Sequence, residues 1–142
     1  MVDKQYLIDV NRKILKKWND EHTEDPQAIG TRAEINNIIS MVEEHDKSKN
    51  KIEDLIAKAA YLMAIVSWVQ PFFDGNKRTG IISATKFLYD NGYDLDIEKE
   101  DEKEIRNLLY DIQDQRTSLD NSVVTKIIFY ITKRIRVHEP RR

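Results

Sequence analysis

Between Ile52 and Val69 the chain is apolar around nearly the whole circumference of a helix. Ile52, Leu55, Ile56, Ala59, Leu62, Met63, Val66 and Val69 keep helical spacing, and Ala60, Ile65 and Trp68 widen the stripe. Such a helix belongs in the middle of a bundle, with neighbours on several sides. Its end is fixed as well, because Pro71 bars Gln70 from the right-handed helical region. Gly75 then permits a sharp turn, and a second helix opens at about Asn76 with Ile81, Ile82, Ala84, Thr85 and Leu88. Asn91-Gly92 terminates it. Two central helices therefore flank loop 70–79.

The other segments supply the partners. Leu7, Val10, Ile14, Leu15 and Trp18 make a one-sided helix over residues 4–18, followed by a loop from Asn19 to Gly30. Thr31-Arg32-Ala33-Glu34 has capping-box spacing and starts a helix carrying Ile35, Ile38, Ile39 and Val42. After the polar connection 45–50 and the central pair, Tyr93, Leu95 and Ile97 alternate with Asp94 and Asp96, which is read as an extended connection. Ile105, Leu108, Leu109 and Ile112 mark a fifth helix, and a last one runs from Val123 to Ile135 with a basic end that complements its dipole. The expectation is one all-α domain over residues 1–142, a compact bundle of about six helices with loop 70–79 between the two central ones.

Composition narrows the function classes. Charged residues make up 34% of the chain but the net charge is only −2, so opposite signs intersperse and no global attraction for nucleic acid arises. There is no Cys, no apolar run long enough to span a bilayer and no signal-peptide pattern, all of which suit a cytoplasmic protein. His22, His45 and His138 lie among polar neighbours without metal-ligand spacing and are read as surface residues.

The stretch Gln70-Pro71-Phe72-Phe73-Asp74-Gly75-Asn76-Lys77-Arg78-Thr79 carries the chemistry. A loop opening a helix presents backbone N–H groups that suit an anion, with Lys77 and Arg78 beside them. Asp74 would repel a bare phosphate but accept the magnesium ion that accompanies nucleotide phosphates. One of Phe72 and Phe73 is expected to plug into the core and pin the loop. The alternative is an ordinary Asp-Gly turn, with Asp74 or Asn76 capping the helix and the cations solvated.

Pro71-Phe72-x-Asp74-Gly75-Asn76-Lys77-Arg78-Thr79 resembles the signature loop of the Fic/Doc family, whose members transfer AMP, phosphate or related groups from nucleotides to protein hydroxyls. Lys77 stands where the AMP-transferring branch usually has Gly, which is similar to the Doc branch, the toxin kinases of toxin–antitoxin pairs. Ala59-Ala60-Tyr61-Leu62 and Phe87-Leu88-Tyr89-Asp90-Asn91-Gly92-Tyr93-Asp94-Leu95 are also Doc-like, so the resemblance covers residues 50 to 130 and, more weakly, the first 50. It implies Mg²⁺ at Asp74, ATP as co-substrate, and phosphate held by the N–H groups from Gly75 to Lys77. It further implies that Asn76 orients the phosphate chain, that Lys77 and Arg78 neutralise charge during transfer, and that Phe72 anchors the loop. Loop 19–30 would correspond to the flap that aligns the target. The implied partners are a target-protein hydroxyl, on a translation factor in the Doc case, and a small antitoxin. Ser40-x-x-x-Glu44 is similar to an inhibitory motif of the family, but His45 stands where that motif has Gly or Asn, so both are read as exposed helix residues.

The sequence departs from the family at Gln70, where a His acts as the base. An amide does not titrate near neutral pH, so Gln70 cannot take the hydroxyl proton, and a positioned base contributes about 10²–10⁴ in rate. Ile81 also replaces the second Arg of the AMP-transferring branch. Gln70 admits three explanations: a pseudoenzyme acting as a binding or regulatory module, an inactivated form of a transferase, or a residue that orients water or hydroxyl without deprotonating it. A purely structural helical domain is the further alternative.

Overall fold

The computed structural model describes residues 2–32, 35–44, 51–113 and 121–138. Six helices appear among them: α1 (Lys4–Glu21), α2 (Asn36–Glu44), α3 (Lys51–Val69), α4 (Asn76–Asp90), α5 (Glu102–Gln113) and α6 (Asn121–Arg134). Two short strands, β1 (Tyr93–Leu95) and β2 (Ile135–Val137), complete the fold.

The centre is α3, as its composition requires. Leu62, Met63, Ala64, Ile65, Val66 and Ser67 are all fully buried, and the helix packs against α2, α4, α5 and α6. The approach to α4 is close: a Cβ on Gly80 would lie 3.2 Å from the Met63 carbonyl oxygen and 3.3 Å from its Cα. Gly80 lets the two backbones meet, and so fixes the spacing of the helices on either side of the loop.

Around this pair the amphipathic helices bury one stripe each. The Asp3 carboxylate caps α1 by accepting from the Tyr6 N–H at 2.8 Å, and Leu7, Val10, Asn11 and Leu15 face inward. At the other end the His22 backbone N–H donates to the Trp18 carbonyl at 2.8 Å while the His22 ring stacks on Trp18. Ile38 and Val42 of α2, Ile105, Leu109 and Ile112 of α5, and Val123, Val124, Ile127 and Ile131 of α6 complete the core.

Three expectations change. Residues 93–95 form a strand rather than an extended connection, pairing antiparallel with 135–137 in the register Tyr93–Val137, Asp94–Arg136 and Leu95–Ile135. The partner lies some forty residues away, and it begins where the last helix stops, at Arg134 rather than Ile135. Thr31 does not cap a helix: it bridges to Phe72, and α2 begins only at Asn36. Glu34 of the expected capping box, and His45 and residues 46–50, lie outside the described residues.

Arg134 does more than complement a dipole. Its Nη1 donates to the Tyr130 carbonyl at 3.1 Å, as a cation in a last turn should, but its Nη2 reaches Asp101 at 2.9 Å and Glu104 at 3.3 Å. The guanidinium lies 3.8 Å from the Tyr130 ring centroid, and the Tyr130 hydroxyl donates to the Asp101 carbonyl at 3.0 Å. This node ties α6 to the start of α5. No helix among the described residues is long and apolar enough to cross a membrane.

Candidate functional site

Loop 70–75 begins with a strained turn. Gln70 has φ +52°, in the left-handed region, while its N–H still reaches the Val66 carbonyl at 3.1 Å. Pro71 closes the right-handed region to Gln70. The chain answers by reversing direction there rather than extending. Phe72 is 1% exposed and enters the core, whereas Phe73 is 53% exposed.

Three sets of hydrogen bonds then hold the loop. From within, the Asn76 amide closes a ring on Phe72: Phe72 N–H donates to Asn76 Oδ1 at 3.0 Å and Asn76 Nδ2 donates to the Phe72 carbonyl at 3.0 Å. From α1, the Asn11 Nδ2 donates to the Asp74 carbonyl at 2.8 Å and to Thr79 Oγ1 at 3.2 Å. From the segment after α1, Arg32 N–H donates to the Pro71 carbonyl at 2.7 Å and Phe73 N–H to the Gly30 carbonyl at 3.1 Å, flanking the Thr31–Phe72 bridge. Ala28 N–H also donates to Asp74 Oδ2 at 2.9 Å. Segment 28–32, the end of the expected flap and the residues after it, is thus laid directly along the loop.

Gly75 makes the final turn into α4 with φ +75°. A Cβ there would meet Asn11 Nδ2 at 3.1 Å and Leu15 Cδ2 at 3.3 Å, so both conformation and space favour glycine. The first backbone bond of α4 is Thr79 N–H to the Gly75 carbonyl at 3.0 Å, which leaves the amides from Gly75 to Lys77 ahead of the helical ladder. They open onto a cavity of about 170 Å³.

One wall of that cavity is Gly75, Asn76, Lys77, Arg78 and Ile81; the opposite wall is Glu102, Arg106 and Tyr110 of α5, with Gln27 at the edge. The Lys77 ammonium sits 4.3 Å from the Tyr110 ring centroid, and Arg106 is ion-paired with Glu102. Arg78 also borders a second cleft, of about 400 Å³, where its guanidinium lies 5.9 Å from the Trp18 ring centroid.

The four residues Gly75, Asn76, Lys77 and Arg78 are therefore brought together, while Gln70 and Asp74 lie outside the walls of this cavity. The Asn76 side chain closes the loop with both its nitrogen and its oxygen, so what it presents to an anion is its backbone N–H. Asn11, Ala28, Arg106 and Tyr110 were not expected. Asn11 had a legible signal, since it lies midway between Leu7 and Leu15 on the buried stripe of α1 and a polar residue there needs a partner. Ser40 and Glu44 are exposed, as read.

Residues 1–88 match the sequence model of the Fic/DOC family, well over half of the chain and the whole of loop 70–79. The chain belongs to the Fic/DOC family. The match takes in the first 50 residues, where the resemblance was weaker, and ends before most of the stretch Phe87–Leu95. No curated protein and no solved structure gives a significant match. Fic/DOC membership relates the chain to transferases of AMP or phosphate that generally use ATP with Mg²⁺. The residues present fit such an ion: Mg²⁺ takes one or two protein carboxylates and completes its shell with water and substrate phosphates. Asp74, one residue before Gly75, gives Oδ2 to Ala28, which leaves Oδ1 as the carboxylate oxygen it could offer a hard cation.

Proposed function

We propose that this Fic/DOC chain binds the phosphates of a Mg²⁺-bound nucleotide, ATP by family relation, at the start of α4, and that it is impaired in transferring AMP or phosphate to a protein hydroxyl. The observation that carries the proposal is the cavity at the N-terminus of α4, where amides from Gly75 to Lys77 meet the side chains of Lys77 and Arg78. Backbone dipoles and fixed cations of this kind are the apparatus of phosphoryl and nucleotidyl transfer, which depends on positioning and charge. Asp74 would hold the ion, which neutralises phosphate charge when bound. Phe72 and the Asn76 amide keep the loop in shape.

In the transfer itself a hydroxyl oxygen forms a bond to phosphorus and the bond from that phosphorus to its bridging oxygen breaks, releasing ADP or pyrophosphate. The hydroxyl proton must leave as the new bond forms. Gln70 cannot accept it, so it passes to water and the step is slow. Lys77 favours the Doc-like, phosphate-transferring variant, with a translation factor as target and a small antitoxin as regulator. The second reading, a binding or regulatory module with no transfer, is favoured by the same Gln70.

Calorimetric titration with MgATP tests the site: the wild-type chain is expected to bind and Asp74→Ala to bind at least tenfold more weakly, in line with a charge-assisted ligand worth about 1.5–3 kcal/mol. Labelled ATP and a cell extract test the chemistry, with Gln70→His expected to label a protein about 10²–10⁴-fold faster than wild type. Binding by wild type without labelling by either form selects the binding module. No binding by either form refutes the nucleotide site.

A further inference from the structure

Helix α5 presents two kinds of surface. Ile105, Leu109 and Ile112 are buried and hold the helix against α3, whereas Glu102, Arg106 and Tyr110 recur every fourth residue on another stripe and line the cavity in front of α4. Arg106 is not needed for packing: its side chain is 45% exposed and Glu102's is 44%, and the two are paired across one helical turn. An exposed pair of this type is held weakly, by about 0–1 kcal/mol, whereas a phosphate can take a guanidinium through two charge-assisted hydrogen bonds.

The opposite wall sets the demand. Beyond Arg78 the face of α4 offers Ile81 to the cavity, an apolar residue that neutralises nothing. A di- or triphosphate seated on the Gly75–Lys77 amides carries more charge than Lys77 and Arg78 offset. The next cation bordering the same space is Arg106, brought there on α5, with Lys77 against Tyr110 joining the two walls.

We infer that Arg106 is a phosphate ligand supplied to the site by α5, and that Glu102 competes with the nucleotide for it. The assignment rests on the nucleotide site proposed above. An entering polyphosphate displaces the carboxylate from the guanidinium, and Glu102 sets how much binding that displacement costs.

Titration calorimetry of the full chain with MgATP, and separately with inorganic pyrophosphate, tests this. Arg106→Ala is expected to weaken both by about tenfold or more, as loss of charge-assisted bonds requires, and Arg106→Lys to recover part of the loss. Glu102→Gln is expected to tighten both by about threefold, as removal of a weak exposed pair allows, yet to give no gain in the Arg106→Ala background. Circular dichroism should be unchanged throughout, since both side chains are half exposed. Wild-type affinity in Arg106→Ala overturns the inference while leaving the nucleotide site standing. An equal gain from Glu102→Gln with and without Arg106 overturns the competition, because Glu102 would then act on the ligand directly. Absence of binding by the wild type overturns site and inference together.

Discussion

Asn11 shows how much of the site hangs on one amide. It is 1% exposed, and its Nδ2 serves both the Asp74 carbonyl and Thr79 Oγ1, so α1 is bonded to the loop and to the first turn of α4 at once. Asn11→Ala strips the donor from a part-buried carbonyl and from the buried Thr79 hydroxyl, and is expected to cost about 1–3 kcal/mol in chemical denaturation. Asn11→Asp should cost more, because it sets a buried carboxylate against the Asp74 carbonyl oxygen. Gln70 stands in contrast. Its left-handed backbone is one that His adopts more readily than most residues, so Gln70→His should fold as the wild type does and let a gain of activity be read as chemistry.

At the scale of elements, the loop is precise because α3 and α4 are. Gly80→Ala would place a methyl 3.2 Å from the Met63 carbonyl oxygen, against backbone that cannot step aside. The helices would have to part, and thermal or chemical unfolding should report a loss of about 1–3 kcal/mol. A loss of MgATP affinity should accompany it, although Gly80 touches no ligand. The sequence made these helices legible, because apolar residues at helical spacing and a Pro–Gly punctuated loop are local signals. Periodicity alone does not tell Phe72 from Phe73, since both follow Pro71; the family resemblance points to Phe72, and that is the ring the fold turns inward. The strand at 93–95 was hidden for another reason: a strand is defined by its partner, and that partner lies beyond two further helices. The α5 wall of the cavity was likewise invisible, because nothing in the spacing of Glu102, Arg106 and Tyr110 says which helix they face.

Across the whole molecule, residues beyond the family match are joined to the rest by α5 and α6 packing on α3, and among themselves by the β1–β2 ladder and the Arg134 node. The node has a pH signature. Burial pushes the Tyr130 hydroxyl up to about 12 from its ordinary 10.0. The neutral form is favoured in the folded state, so this contribution is complete below pH 10 and is lost as pH rises from there to about 12. Denaturation measured across that window should show a steeper fall for wild type than for Tyr130→Phe, which lacks the titrating group.

The bond from Ala28 to Asp74 Oδ2 would couple segment 28–32 to the ion proposed for Asp74. A carboxylate that served a cation on one oxygen and a main-chain donor on the other would join two equilibria, and whatever drained its charge would loosen its grip on the donor. By reciprocity, a target chain that shifted segment 28–32 would retune the ion, and the ion would retune the welcome given to the target.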